Sequence, residues 1–132
     1  MIHAPEHHVY FAVIDFGDDP GVVTAMMGMP PTRAWVGGEP RGDGGRQTHS
    51  RWALQSRLPL SSAIDLHVDD VLSQLQGRQA AVRDVLGRFP AHLAIAAYWD
   101  AFNPSFQLSS TIIQSVAEFG LLIDFDLYYL KP

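Results

Sequence analysis

From Val9 to Ile14 the chain runs Val-Tyr-Phe-Ala-Val-Ile, with apolar side chains on both faces of an extended segment. Such a run is buried on both sides, which predicts a central strand over His8 to Phe16. Asp18-Asp19-Pro20 then carries the signals of a helix start, because proline suits the first turn and acids suit the helix dipole. The predicted helix, about Gly21 to Met27, is closed by Gly28 as a left-handed cap, and Pro30-Pro31 stops its continuation. Arg33 to Val36 reads as a short strand. Arg51 to Arg57 alternates polar and apolar, which turns Trp52 and Leu54 inward and Arg51, Gln55 and Arg57 outward. Between these two strands, half of the ten residues Gly37 to Arg46 are glycine and none of the others is a large apolar residue. That composition predicts a flexible surface loop over residues 37–49, at the tip of a hairpin.

The period changes again in the second half. Ser62-Ala63-Ile64-Asp65 has the spacing of a capping box, and Ile64, Val68, Val71, Leu72 and Leu75 follow on one helical face. Gly77 interrupts, and Val82, Val85, Leu86 and Phe89 line a second helix before Pro90. Leu93 to Trp99 predicts a third strand, rich enough in alanine for a helix to pack closely on it. Ser109 or Ser110 is placed to cap a last helix, with Ile112, Ile113, Val116 and Ala117 inward, and Leu121 to Leu130 predicts the final strand.

Two stretches of this pattern look like copies. His8–Phe16 and His92–Asp100 are similar runs, each followed three residues later by Asp19-Pro20 or Asn103-Pro104. The helical segments after them end in Met27-Gly28 and Phe119-Gly120. The expectation is a duplicated strand–helix–strand unit joined by a helical insert from about Ile64 to Phe89. The predicted fold is α+β: a largely antiparallel or mixed sheet of four to six strands, with helices mainly on one face. Residues 1–132 form one domain, with residues 1–7 a flexible terminus.

Composition narrows the function. A chain of 132 residues, 47% hydrophobic and 17% charged, is expected to pack as one globule. The net charge of −5 conceals a basic segment, since residues 33–57 sum to +3 while residues 1–32 and 58–132 each sum to −4. An acidic chain with one short basic stretch is poorly suited to nucleic acid, which needs several phosphates neutralised together. No apolar run approaches the ~20 residues of a membrane span. The start Met1-Ile2-His3-Ala4 lacks the pattern of a secretory signal, so the expected location is cytoplasmic. With no cysteine, thiolate chemistry is absent.

Candidate chemistry is sparse. Trp35 and Trp52 flank the glycine-rich loop together with Glu39 and Arg51, and tryptophan and arginine dominate binding hot spots. Trp52 also has the inward alternation of a core residue. Asp124 and Asp126 share one strand face, roughly 7 Å apart, a geometry compatible with a cation or with acid–base work, and Asp15 or Asp100 would extend the cluster. The competing reading is an ordinary solvated edge. His67 could pair with Asp70 one turn later, or border the core. His3, His7 and His8 could hold copper or nickel, or simply belong to a frayed terminus. No cofactor is expected.

The opening strand with Asp19-Pro20, Met27-Gly28-Met29-Pro30, Trp35-Val36-Gly37-Gly38-Glu39, Trp52-Ala53-Leu54-Gln55-Ser56, Leu66-His67 and Ile123-Asp124-Phe125-Asp126-Leu127-Tyr128 occur here in a particular order. That order and spacing resemble the bacterial domain-of-unknown-function family 4279 over about residues 8 to 130. The resemblance implies a fold and no assigned activity. Three functional readings follow. The first is a non-catalytic binding protein with a macromolecular partner, toxin-neutralising or regulatory. The second is a small-molecule or anion-binding domain using Trp35, Arg51 and Trp52. The third is a metal-assisted hydrolase around Asp124 and Asp126.

Overall fold

The computed structural model describes residues 5–99 and 105–130. In chain order the elements are β1 (Glu6–Ile14), α1 (Gly21–Met27), β2 (Arg33–Trp35), β3 (Arg51–Gln55), α2 (Ile64–Leu75), α3 (Gln79–Leu86), β4 (Ala91–Trp99), α4 (Ser110–Glu118) and β5 (Ile123–Tyr129). The strands form one mixed sheet in the order β2-β3-β1-β4-β5. All neighbours are antiparallel except β4 and β5, which are parallel. The fold is α+β, as expected.

The predicted duplication has a counterpart in the topology. β1 and β2 both run antiparallel to β3, so they are parallel to each other across it. β4 and β5 are parallel and adjacent. Each half is therefore a strand, a helix and a parallel strand, and the halves meet antiparallel along β1 and β4. The first half differs by admitting β3 between its two strands. Asn103-Pro104, the second copy of the helix-start motif, lies outside the described residues, as do Asp100 and His3.

Local chemistry explains the ends of the elements. Asp19 Oδ1 accepts the Gly21 N–H at 2.9 Å before α1. Gly28 closes that helix at φ 67°, where a side chain would be strained. Ser109 Oγ accepts the Ile112 N–H at 3.2 Å, which caps α4. The expected capping box at Ser62 is not formed: Ala63 stands at the N-cap, and Asp65 accepts the neighbouring Leu66 N–H instead.

The helices cover one face of the sheet. Val9, Phe11 and Val13 of β1, Trp52 and Leu54 of β3, and Leu93 and Ile95 of β4 meet Val23, Met27, Val68, Leu75, Val82, Val85 and Val116 from the helices. Each such side chain contributes about 1.5–3 kcal/mol by leaving water. Three expectations need correction. β1 begins at Glu6 and buries His7, so residues 6 and 7 are strand rather than a loose terminus. The apolar character of β1 on both faces does not reflect two covering layers, because Tyr10 and Ile14 are only half-buried on the face without helices. Ile113 and Ala117 of α4 point to solvent; Val116 and half-buried Ile112 carry the contact.

Gly37 to His49 is exposed along most of its length and carries bonds of its own. Gln47 exchanges backbone bonds with Gly38 and Glu39, each at 2.8 Å, and Arg41 N–H donates to the Gly45 carbonyl at 2.8 Å. Asp43 closes the tip by accepting from the Gly45 N–H and from Arg41. The segment is thus a small ribbon continuing the β2–β3 hairpin.

Candidate functional site

Strand alternation sends every second residue away from the helices. On that open face stand Arg33 and Trp35 of β2, Arg51, Ala53 and Gln55 of β3, His8 and Tyr10 of β1, and Ala96 and Tyr98 of β4. Together they line a groove of about 190 Å³. Its floor is low because Ala53 and Ala96 present only methyl groups, while the aromatic rings on neighbouring strands stand up as walls. The alanines of the third predicted strand were expected to admit a close helix. Ala97 does lie in the core on the helix side, whereas Ala96 makes room in this groove and Ala94 faces the same helix-free side.

Arginine and aromatic groups are interleaved across the groove. The Arg33 guanidinium lies 5.2 Å from the Trp35 ring centre, and that of Arg51 lies 5.5 Å from both Trp35 and Tyr10. Arg51 Nη1 also donates to the Tyr10 hydroxyl at 3.0 Å. Such stacking holds a guanidinium plane in place while leaving N–H donors available. Among the described residues, neither Arg33 nor Arg51 is within ion-pair distance of a carboxylate. Arg41 and Arg57 do have such partners, in Asp43 and Asp70.

The same face turns acidic towards β5. Asp124, Asp126 and Tyr128 continue the rows begun by Ala94, Ala96 and Tyr98, so the two acids do share a face as expected. Tyr128 stacks on Tyr98 at 4.7 Å, and Asp126 pushes its phenol up. His92 Nε2 lies 4.0 Å from Asp124. Burial pushes the His92 imidazole down despite the pull of Asp124, and the positive charge of Arg51 adds to the effect. Asp15 does not join the two acids; it pairs with His49 at 2.9 Å. Among the described residues no three His, Cys, Asp or Glu side chains gather as a metal site.

Of the four residues anticipated as a binding cluster, the fold brings Trp35 and Arg51 together and separates the other two. Trp52 is on the opposite face of β3, fully buried against Phe11, with its indole N–H donating to Thr24 Oγ1 at 3.0 Å. Adjacent residues of one strand cannot both face the groove. Glu39 lies in the ribbon and is exposed there, away from the groove lining. The anticipated His67–Asp70 couple is also absent. His67 Nδ1 bonds Ser56 Oγ at 2.6 Å, while Asp70 is taken by Arg57 through both its side chain and its backbone N–H. Burial opposes the Asp70 charge, but the Arg57 bonds outweigh it and hold the carboxyl below its usual range. His7 and His67 border a second cavity of about 30 Å³, too small for anything much larger than water. His7 lies within β1 with Nδ1 bonded to the Ser62 carbonyl, and His8 lines the groove, so neither belongs to a frayed terminus.

Sequence reasoning missed Arg33, Tyr10, Gln55 and Tyr98 as partners of Trp35 and Arg51. Their alternation was legible strand by strand, but the registers that align them were not.

No helix among the described residues is long and apolar enough to cross a membrane. Comparison with curated proteins and with solved structures returned no match. Residues 5–130 match the family described as Domain of unknown function (DUF4279), nearly the whole length of the chain. The chain belongs to that family.

Proposed function

We propose that the open-face groove binds a small flat anion, a carboxylate or phosphate attached to an unsaturated ring. The observation that carries this reading is the pair Arg33 and Arg51, stacked about Trp35 and, among the described residues, without a carboxylate partner. The guanidinium donors meet the anionic group, and Tyr10, Trp35 and Tyr98 flank its ring. Gln55 adds a neutral donor and acceptor at the same groove. Binding is the part of this reading that the lining supports. Arginine, glutamine and tyrosine orient and neutralise an anion at neutral pH, and the imidazole of the lining, His8, is bonded to Glu6. Asp124 and Asp126 stand on β5 opposite Ala94 and Ala96, so their charge favours anions held at the β2–β3 end of the face.

Calorimetric titration with benzoate, phenyl phosphate and benzylamine tests the reading. The two anions are expected to bind and the amine is not, with affinity falling as salt is added. Arg51→Ala is expected to weaken anion binding by about ten- to a hundredfold, the worth of one charge-assisted hydrogen bond. Arg51→Lys should not restore it, because a point charge cannot stack between Trp35 and Tyr10. Equal binding of the amine, or full affinity in Arg51→Ala, would refute the assignment.

A further inference from the structure

β5 is an outer strand of the sheet. Natural edges are protected by charged side chains, above all lysine, and by proline, bulges or shortness; β5 has only Asp124 and Asp126, both on the face away from the helices. Ile123–Tyr129 runs seven residues in unbroken register with β4 and contains neither lysine nor proline. The Leu93 N–H donates to the Leu122 carbonyl, and the Leu130 N–H donates to the Trp99 carbonyl. In a parallel ladder alternate residues carry the bonds to one neighbour. The even-numbered residues of β5 therefore bond β4, and Phe125, Leu127 and Tyr129 turn N–H and C=O outward. Their side chains, on the helix side of the sheet, are 42%, 51% and 49% exposed.

We propose that β5 pairs antiparallel with β5 of a second copy, about a two-fold axis through Leu127, making one continuous sheet from the five strands of each copy. In that register Leu127 faces itself and Phe125 faces Tyr129. All six outward N–H groups, three from each copy, meet outward carbonyls, because residues opposite one another are outward together. On the other face Asp126 meets Tyr128 and Asp124 meets Leu130, so no acid faces an acid. Competing registers are worse. An axis at Phe125 sets Asp124 against Asp126 twice, and one at Asp126 sets that residue against itself, which costs stability for like charges directly opposite. An axis at Tyr128 leaves Phe125 without a partner among the described residues. The strand is self-complementary in one register, as an isologous interface requires. Each copy carries a net charge of −5, so the pair attract through this edge while repelling at longer range. Association should then tighten with salt, the opposite of what the groove's anion should do.

Sedimentation equilibrium of the full chain at low and high salt is the test, combined with amide exchange measured across protein concentration. A dimer that tightens with salt is expected, with the Phe125, Leu127 and Tyr129 amides protected only as the dimer fills. Leu127→Lys brings two ammonium groups together on the axis and should give a monomer with an unchanged circular dichroism spectrum. Tyr128→Arg faces Asp126 in both halves of the interface and should tighten the dimer roughly three- to tenfold. A monomer at every concentration would overturn the proposal. So would a dimer indifferent to Leu127→Lys, one weakened by Tyr128→Arg, or one whose new protection falls elsewhere. A monomer that instead protects these amides when an added extended peptide binds would assign the edge to a foreign strand.

Discussion

Trp52→Ala is expected to destabilise the protein by about 3–5 kcal/mol, the usual cost of truncating a fully buried aromatic ring. Trp35→Ala should cost only about 1–2 kcal/mol, from two cation–π contacts at a half-open site. The contrast follows from one peptide register. Trp52 has no exposed surface, packs edge-on to Phe11 and ties β3 to α1 through Thr24. Removing it leaves a cavity between the sheet and its helix layer and strips the Thr24 hydroxyl of its partner. Trp35 stands on the other face between Arg33 and Arg51. Its loss should leave the fold intact and weaken anion binding. Urea denaturation of both variants, with unchanged slopes, measures the difference. Equal losses of stability would mean that the two rings do not differ in role as their positions require.

The elements were legible because each carries its own period and its own stop signal. Gly28 closes α1 and Ser109 caps α4, and both positions were marked by residue type. The parallel strand–helix–strand halves were likewise visible as two similar apolar runs. The face of each strand was harder to judge. Ala94 and Ala96 carry no sign of which side they meet, since alanine suits a tight helix contact and an open floor equally well. Tyr10 lies within an apolar run, and it is a groove wall because no helix among the described residues covers that face. The site itself depends on registers between strands far apart in sequence: Tyr10 opposite Gln55, and Arg33 opposite Ala53. No local pattern encodes these pairings. Trp52 was half-legible, because its inward alternation argued for the core while its nearness to Arg51 argued for the site. The alternation was the better guide, since neighbours along a strand are on opposite faces.

Stability is expected to fall as the solution is acidified below pH 6.5, and His67→Leu is expected to flatten that fall. His67 is 1% exposed, with Nδ1 on Ser56 and Nε2 without a partner among the described residues. Burial pushes its imidazole below the ordinary value of 6.5. The Leu60 carbonyl and Asp70 oppose the shift, while His7 and His8 add to it. The unfolded chain therefore takes up this proton at higher pH than the folded one. The neutral ring's contribution is complete above about pH 6.5 and declines as the pH drops from there through the folded value. Leucine has a similar volume, so at pH 7.5 the variant should lie within about 1.5 kcal/mol of the parent. Ser56 Oγ keeps a partner in either protein, because it also accepts the Leu58 N–H. Some slope should persist in the variant, since burial holds His92 low by the same mechanism. Urea midpoints measured between pH 5 and 8 decide the matter. Parallel curves for parent and variant would place the acid sensitivity outside His67, whereas convergence at low pH would locate it in the seam between β1 and α2.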